Sequence, residues 1–385
     1  MLTTLALAAA LLAPPQGPAP GVGAAPAGNP SAYAVEEVAS GLTKPWDVAF
    51  LPGGPRGGDV LVTEKPGRLR VVREGALLDA PVVGVPAVHY ASQAGLFEAS
   101  PHPDFASNRL LYLTYAVPAE GGNTLALGRG RYVATPEGAS LEGFEELFRA
   151  DAIRQSDAHY GGRMVWMPDG ALLLTSGDGY RHRYEAQELD SHFGKVLRLT
   201  EDGEAAPGNP FADTPGALPE IYTYGHRNPQ GIARVGEAVF ESEHGPRGGD
   251  EVNALTPGGN YGWPVATYGL DYSGVAVSPF AAWDPSAQPL FHWTPSIAPS
   301  ALAYYDGAAF PRWRGLLMSS ALAEPGVGRH VRAFRPSDPT RQTALFGELG
   351  ARIRDVAPAP DGTVWLALEG DGDAGGRIVR VLPAR

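Results

Sequence analysis

Residues 163–175 read Arg-Met-Val-Trp-Met-Pro-Asp-Gly-Ala-Leu-Leu-Leu-Thr. Two apolar runs flank a Pro-Asp-Gly turn, which is typical of two short antiparallel strands joined by a tight connection. A further run at 194–199, Gly-Lys-Val-Leu-Arg-Leu, alternates basic and apolar residues, as a strand with one solvated face does. We therefore predict a small antiparallel β-unit around this turn.

The same order of strand, turn, strand and alternating strand recurs along the chain. The copies lie at 46–72 and 354–382 and, more weakly, at 95–117, 231–243 and 300–334. A degenerate repeat of about 40–50 residues favours an all-β propeller with four-stranded blades, of which residues 33–385 hold about six or seven. The strand at 33–39 would then complete the last blade. The alternative is a β-sandwich with extra segments.

The composition is that of a globular protein. Of 385 residues, 44% are hydrophobic and 19% are charged, and the net charge is -12. Such an acidic surface repels nucleic acid phosphates and anionic lipid, so neither is expected as a partner. The absence of cysteine excludes disulfides, thiolate metal sites and a cysteine nucleophile.

Residues 1–30 differ in composition from the rest of the chain. The run at 2–12 is apolar but too short to span a bilayer, and small residues at 24–27 suit signal cleavage. We predict a secretory signal peptide and a Pro/Gly/Ala-rich linker over 1–30, then a single domain over 31–385. A disordered tail is the alternative, because no Lys or Arg precedes the apolar run. No other stretch is expected to span a membrane.

Several polar residues beside glycines are candidates for chemistry. His159 precedes Gly-Gly, and Asp178 follows the next predicted strand. A carboxylate against a histidine ring fixes its tautomer and raises its basicity, as a general base requires. A structural, hydrogen-bonded histidine is the alternative.

Arginines supply the second group of candidates. Arg227 and Asn228 lie on a turn between Gly225 and Pro229, where Arg227 could grip a carboxylate or form a surface salt bridge. Arg352 and Arg354 are two apart, so in a strand they share a face, which is costly unless an anion lies between them or the edge is solvated.

An acidic turn supplies the third group. Gly245 and Pro246, with Asp250 and Glu251 shortly after, resemble the oxygen-rich surroundings of a hard cation such as calcium, although most acidic turns are simply solvated. The chain lacks a Walker loop, a dinucleotide fingerprint, a zinc-type histidine pair and a Gly-x-Ser-x-Gly elbow.

Together these motifs resemble the soluble pyrroloquinoline quinone (PQQ)-dependent sugar dehydrogenases, in particular the bacterial aldose sugar dehydrogenase branch. The most specific are Gly-His-Arg-Asn-Pro-Gln-Gly at 225–231 and His-Gly-Pro-Arg-Gly-Gly-Asp-Glu at 244–251. The other matching stretches, in the family's order, lie at 41–46, 93–97, 102–105, 159–163, 189–195, 260–264, 295–300 and 352–355.

The resemblance implies a six-bladed β-propeller that oxidises aldose sugars at the anomeric carbon to lactones by hydride transfer to PQQ. It makes His159 the general base, Asp178 its orienting carboxylate and Arg227 a catalytic residue. The residues implied to contact PQQ are His159, Gln93, Arg227, Asn228, Ser296, Arg352 and Arg354. The resemblance also implies calcium on the carbonyls of Gly245 and Pro246, and a structural calcium on Glu251 and the Tyr261 carbonyl.

The resemblance further implies a periplasmic or secreted monomer or homodimer that passes electrons to an external acceptor. The chain departs from the family at Ala321-Leu322-Ala323, where a Ser-Leu-Lys run is common, so one cofactor contact is expected to be absent. Residues 98–100 are also unusual. Two alternatives are a calcium-dependent propeller lactonase or hydrolase and a non-catalytic propeller that binds protein or glycan.

Overall fold

The computed structural model describes residues 18–23, 32–52, 58–323, 329–370, 372 and 374–384. The apolar run at 2–12 and the predicted cleavage region at 24–27 lie outside the described residues. Within them, no helix is long and apolar enough to cross a bilayer.

The described chain is almost entirely β-structure. Its strands are, in chain order, β1 Gly21–Val22, β2 Tyr33–Leu42, β3 Pro45–Phe50, β4 Val60–Glu64, β5 Arg68–Arg73, β6 Ala76–Leu77, β7 Leu96–Pro101, β8 Leu110–Ala119, β9 Gly122–Thr135, β10 Gly138–Arg149, β11 Gly161–Trp166, β12 Leu172–Ser176, β13 Lys195–Leu199, β14 Ile221–Tyr224, β15 Pro229–Val235, β16 Ala238–Glu243, β17 Asp250–Leu255, β18 Phe291–Trp293, β19 Pro299–Tyr305, β20 Leu316–Ala321, β21 Val331–Arg335, β22 Asp338–Leu345, β23 Arg352–Pro358, β24 Val364–Glu369 and β25 Gly376–Pro383. The described helices are the one-turn α1, Phe105–Asn108, and two 3₁₀ turns, Arg183–Gln187 and Gly347–Leu349.

The chain divides into two compact units, each with three sheets. One unit comprises Met1–Asn29, His159–Tyr304 and Gly315–Gly350, and the other comprises Pro30–Ala158, Tyr305–Arg314 and Ala351–Arg385. We call them the first and second unit. The sheets of the first unit are β11 to β14, β15 to β18 and β19 to β22, and those of the second are β3 to β6, β7 to β10 and β23 to β25 with β2.

Each sheet contains four antiparallel strands, and the short strand β1 adds to the edge of one of them. These six sheets are the blades of the six-bladed β-propeller fold. This confirms the predicted fold class and excludes the β-sandwich. Strand β2 pairs antiparallel with β25, so the strand near the N-terminus completes the last blade, as predicted.

The predicted turn repeat forms as expected. In the first unit, residues 168–170 connect β11 and β12, and the Asp169 carboxylate accepts the Ala171 N–H at 3.1 Å. The alternating strand then places Arg198 against Asp169 at 2.6 Å. In the second unit, Arg380 pairs with Asp361 in the same way at 2.5 Å. The basic residues of the repeat therefore pair with the turn of their own blade.

Apolar residues between neighbouring blades form the cores of the units. In the first unit, Trp293 and Phe291 pack with Phe334 of the next blade, with ring planes close to perpendicular. The buried Trp293 indole N–H donates to Gln342 Oε1 at 2.9 Å, so the ring is fully buried and satisfied. Trp293→Ala would cost about 3–5 kcal/mol of stability.

One part of the predicted N-terminal linker has a definite place in the first unit. Strand β1 adds to the edge of a sheet, parallel to β18, with Gly21 opposite His292. The Arg332 guanidinium donates to the Gly23 carbonyl at 3.2 Å, and Ala19 is buried.

Candidate active site

A cavity of about 310 Å³ opens in the first unit. Its lining combines a buried histidine–aspartate pair, three arginines and several aromatic rings. The lining residues are His159, Asp178, Tyr180, Arg181, Arg183, Arg227, Pro246, Trp263, Asp271, Tyr272 and Val277. Of the predicted site residues, the structure thus gathers His159, Asp178, Arg227 and Pro246 around one cavity.

The backbone between β11 and β12 fixes the position of His159. Gly161 and Ser176 are register partners at the ends of these strands, so His159 and Asp178 leave the same end of the hairpin. His159 has a left-handed φ of 54°. A Cβ at Gly177 would come within 2.3 Å of the His159 carbonyl oxygen. The chain can therefore make this close approach only because residue 177 is a glycine.

His159 and Asp178 form a buried, oriented pair. Nδ1 of His159 lies 2.6 Å from Asp178 Oδ1, and both side chains are almost inaccessible to solvent. The Tyr180 N–H donates to the same carboxylate oxygen at 2.8 Å, while the Trp263 indole N–H donates to Oδ2 at 2.8 Å. The Tyr180 ring packs edge-on against the imidazole at 5.3 Å.

Asp178 is held as a carboxylate. Burial alone would raise the pKa of Asp178, but the charge and hydrogen bond of His159, the charge of Arg227 and the Tyr180 N–H together lower it below its ordinary value. A carboxylate that stays ionised keeps Nδ1 of His159 protonated, which directs the basic lone pair to Nε2.

Arg227 is a fixed cation at the cavity wall. Its Nη1 donates to the carbonyl oxygens of Gly245, at 2.8 Å, and His244, at 3.1 Å. Its guanidinium lies 5.4 Å from the centre of the Trp263 ring, within cation–π distance. Arg227 and Asn228 are both buried, so Arg227 is not part of a surface salt bridge.

Asn228 and Ser296 contact neighbouring residues of the first unit. Asn228 Oδ1 accepts from Gln230 Nε2 at 3.3 Å. Ser296 donates to Asp250 Oδ2 at 2.6 Å, and the same oxygen accepts two backbone N–H groups, of Ile297 and Ala298. Burial raises the pKa of Asp250 to about 6. Their predicted contacts with PQQ stay predictions.

The predicted calcium ligands lie along β17 and the two loops flanking it. Gly245 and Pro246 precede the strand, and the Gly245 N–H donates to Asp250 at 2.9 Å. Glu251 is buried on β17, where burial and the neighbouring Glu243 raise its pKa well above the usual range. Tyr261 is also buried, and its hydroxyl donates to the Ala254 carbonyl at 2.7 Å.

The remaining predicted residues belong to the second unit. Arg352 and Arg354 do share a face of β23, and the anion between them is Glu369 of β24, at 2.8 Å and 2.6 Å. Both arginines hold the pKa of Glu369 at about 2, against the opposing effect of burial. Burial, followed by the charge of Arg354, lowers the pKa of nearby Lys65 to about 7. Gln93 is exposed, and its N–H donates to the Asp157 carbonyl.

The departure from the family at 321–323 has a backbone role. The N–H groups of Leu322 and Ala323 donate to the carbonyls of Ala298 and Ile297. Ala321 and Leu322 are buried, and Ala323 is exposed.

The sequence reasoning missed several cavity residues. Trp263 lies within a motif that the resemblance uses, but nothing local indicates that its indole reaches Asp178. Tyr180, Arg181 and Arg183 follow Asp178 directly in the sequence, and this density of cationic and aromatic side chains is the signal that could have indicated them. Tyr180 and Tyr272 are 50% and 61% exposed, which is unusual for large rings unless they line a binding surface.

Comparison with known proteins identifies the relatives of this chain. Residues 42–380 match the model of the family described as glucose/sorbosone dehydrogenase. The aldose sugar dehydrogenase YliI of Escherichia coli is 37% identical over 360 residues, which cover 92% of this chain and 94% of YliI. Quinoprotein glucose dehydrogenase B of Acinetobacter calcoaceticus is 32% identical, over 72% of this chain and 73% of its own.

A solved structure extends the similarity to three dimensions. The PQQ-bound form of the aldose sugar dehydrogenase from Streptomyces coelicolor superimposes with a TM-score of 0.71 at 29% identity. The match covers 93% of this chain and all of that one.

Proposed function

We propose that this chain, which belongs to the glucose/sorbosone dehydrogenase family, is a PQQ-dependent aldose sugar dehydrogenase. It is an oxidoreductase that oxidises aldose sugars at the anomeric carbon to lactones. The observation that carries the proposal is the His159–Asp178 pair at the wall of a cationic, aromatic cavity.

The cavity residues fit the cofactor. PQQ is a flat, conjugated quinone with three carboxyl groups, so its site needs cations and an aromatic or apolar surface. Arg181, Arg183 and Arg227 supply the positive charge, and Trp263 supplies a ring. At about 310 Å³ the cavity is at the lower end of the range for small-molecule sites.

The chemistry of His159 follows from its hydrogen bonds. Asp178 accepts a hydrogen bond from the Nδ1–H group of His159, and the proton stays on Nδ1. The lone pair is therefore on Nε2, which takes the proton of the anomeric hydroxyl. The negative charge of Asp178 then stabilises the imidazolium. When bound, PQQ supplies the two-electron acceptor for the hydrogen that leaves the anomeric carbon. Trp263 and the Tyr180 N–H keep the Asp178 carboxylate in one orientation during this proton transfer.

Calcium is the second proposed cofactor. The carbonyls of Gly245 and Pro246 are the proposed ligands beside the cavity, and Glu251 with the Tyr261 carbonyl holds a structural ion. Calcium prefers oxygen ligands of this kind. The Gly245 carbonyl accepts from Arg227, but a carbonyl oxygen has two lone pairs and can also bind a cation.

The proposal places the protein in the periplasm or outside the cell, as a monomer or homodimer with an external electron acceptor. The support is the family resemblance and the apolar run at 2–12.

The test is dye reduction by the purified apo-protein with glucose, before and after addition of PQQ and calcium. We expect activity only when both are present. Methyl α-glucoside is the matched control substrate, because its anomeric oxygen carries no proton for His159 to take. Equal oxidation of the glucoside would contradict oxidation at the anomeric carbon. No turnover of any aldose would favour the hydrolase or the non-catalytic alternative.

A further inference from the structure

A second histidine–carboxylate cluster lies in the first unit, on the face of β16 and β17 that also carries Glu251. Strands β16 and β17 pair so that Glu241 is opposite Asn253 and Glu243 is opposite Glu251. Side chains of directly paired residues share a face of the sheet, so these groups are gathered there. Glu241 and Asn253 are completely buried, and Glu243 is almost so.

His226 completes this cluster from the loop after β14. Its ring stacks on Tyr261 at 4.7 Å, and Nε2 lies 2.9 Å from the Thr223 hydroxyl. These contacts direct Nδ1 toward the carboxylates, 3.0 Å from Glu243 Oε1 and 3.9 Å from Glu241 Oε2. One nitrogen and two carboxylate oxygens, all within 4.8 Å of one another, thus converge in the interior.

Two oxygens of this cluster have no hydrogen-bond partner although they are fully buried. They are Glu241 Oε1 and Asn253 Oδ1. The Asn253 amide itself lies within the cluster, because its Nδ2 donates to Glu241 at 3.1 Å and to Glu243 at 3.2 Å. Burying an oxygen without a donor is unfavourable, so these two atoms favour a cation or a proton at this position.

The charges of the cluster are also unbalanced. Within the part of the chain that the structure describes, no lysine or arginine forms an ion pair with Glu241 or Glu243. Two buried carboxylates beside one imidazole need a compensating cation or a proton.

We propose that His226, Glu241 and Glu243, with Asn253 Oδ1 as a fourth ligand, bind a structural zinc ion. In tetrahedral zinc sites the ligand atoms lie about 3.3 Å apart, since each lies about 2.0 Å from the metal. Glu243 Oε1 lies 3.0 Å from His226 Nδ1 and 3.2 Å from Asn253 Nδ2, which is close to this spacing. Glu241 Oε2 lies somewhat farther from His226 Nδ1, at 3.9 Å. An imidazole nitrogen favours zinc over calcium, which takes oxygen ligands. Rotation of the amide by half a turn presents Oδ1 to the metal.

The position of this site gives the ion a structural role. Glu243 Oε2 accepts the backbone N–H of Arg227, so the cluster holds the residue that reaches the cavity wall. A buried ion would hold the loop at 225–228 in place through Glu243 and His226. This inference goes beyond the proposed function and does not depend on it, because its readouts are metal content and unfolding.

The test uses the full chain, treated with chelator and then incubated with zinc in the presence of excess calcium. We expect one bound zinc per chain by elemental analysis and a rise in melting temperature of several degrees. Glu241→Gln, which keeps the size of the side chain, should lose that zinc and the zinc-dependent rise. Glu220→Gln is the matched control, because Glu220 pairs with a histidine outside the cluster, His192. This variant should retain both the bound zinc and the zinc-dependent rise in melting temperature.

The results separate a cation from a proton. If the cluster holds only a proton, the wild type binds no zinc, and Glu241→Gln is at least as stable as the wild type in chelator. That result would overturn the proposal. Zinc binding that is retained in Glu241→Gln, or binding of calcium instead of zinc by the wild type, would also overturn it. If Glu241→Gln does not fold, X-ray absorption spectroscopy of zinc bound to the wild type is the test, and we expect one imidazole among oxygen ligands. A spectrum without the imidazole ligand would equally overturn the proposal.

Discussion

Two histidine–carboxylate clusters in the same unit show how neighbours decide the role of a buried histidine. His159 meets one carboxylate, Asp178, at 2.6 Å, beside a cavity with a fixed arginine. His226 meets Glu243 at 3.0 Å and Glu241 at 3.9 Å, in a fully buried position.

The difference appears in the carboxyl groups. The pKa of Asp178 is lowered, because cations and donors outweigh its burial, whereas that of Glu241 is raised by burial and a like charge. One carboxylate with donors keeps a histidine ready for proton transfer. Two buried carboxylates beside one imidazole are instead the surroundings in which we propose a zinc ion.

The largest predicted effect is loss of turnover in His159→Ala. General-base catalysis contributes about 10²–10⁴-fold, so we expect a loss of about 10³-fold in kcat, with PQQ binding largely retained. Steady-state dye reduction and PQQ titration would measure both. His226→Phe, which keeps the stacking on Tyr261, should instead lower the melting temperature and lose less turnover. Near-wild-type activity in His159→Ala would refute the base assignment.

The sequence predicts those features whose residues lie close together along the chain. The blades follow from turns and alternation within about 40 residues, and His159 with Asp178 from two ends of one hairpin. The Asp178–Trp263 hydrogen bond joins residues far apart in the chain, and a motif does not reveal it. Nothing in the sequence distinguishes Glu241 from other strand residues, and only the pairing of β16 with β17 places Asn253 opposite it. For Arg352 and Arg354 the sequence leaves an anion or a solvated edge as alternatives, and only the pairing of β23 with β24 identifies Glu369 as an anion between them.

This third charged cluster, in the second unit, reverses the balance of the His226 cluster, because cations outnumber carboxylates. If the resemblance assigns Arg352 and Arg354 correctly, replacing both by alanine should weaken PQQ binding about 10- to 100-fold, since charge-assisted hydrogen bonds contribute about 1.5–3 kcal/mol. Arg380→Ala, which removes a salt bridge to Asp361 in the same unit, is the control. A large fall in melting temperature with unchanged PQQ affinity would make the two arginines a structural pair.

Glu369 makes the same cluster sensitive to acid. Its pKa is about 2 in the folded protein and about 4.5 in the unfolded chain, so it stabilises the fold above about pH 4.5, and this stabilisation disappears as the pH falls toward 2. Allowing for screening at the partly exposed Arg352, the effect is about 2 kcal/mol. Denaturant unfolding of wild type and Glu369→Gln should therefore differ at pH 7 and converge as the pH falls to 2 and below. A constant difference across this range would show that Glu369 does not titrate as described.

The smallest predicted effect concerns Glu251, which lies opposite Glu243 but is assigned to calcium rather than to the His226 cluster. Glu251→Ala should remove the stabilisation by calcium, about 1.4 kcal/mol when calcium is at ten times its Kd, and lower the melting temperature by a few degrees. The exposed Glu237→Ala is the control, and thermal unfolding with calcium or a calcium-selective chelator is the measurement. If Glu251→Ala instead abolishes zinc binding and leaves the calcium response intact, Glu251 belongs to the zinc site. The two carboxylates opposite each other on β16 and β17 would then serve one ion.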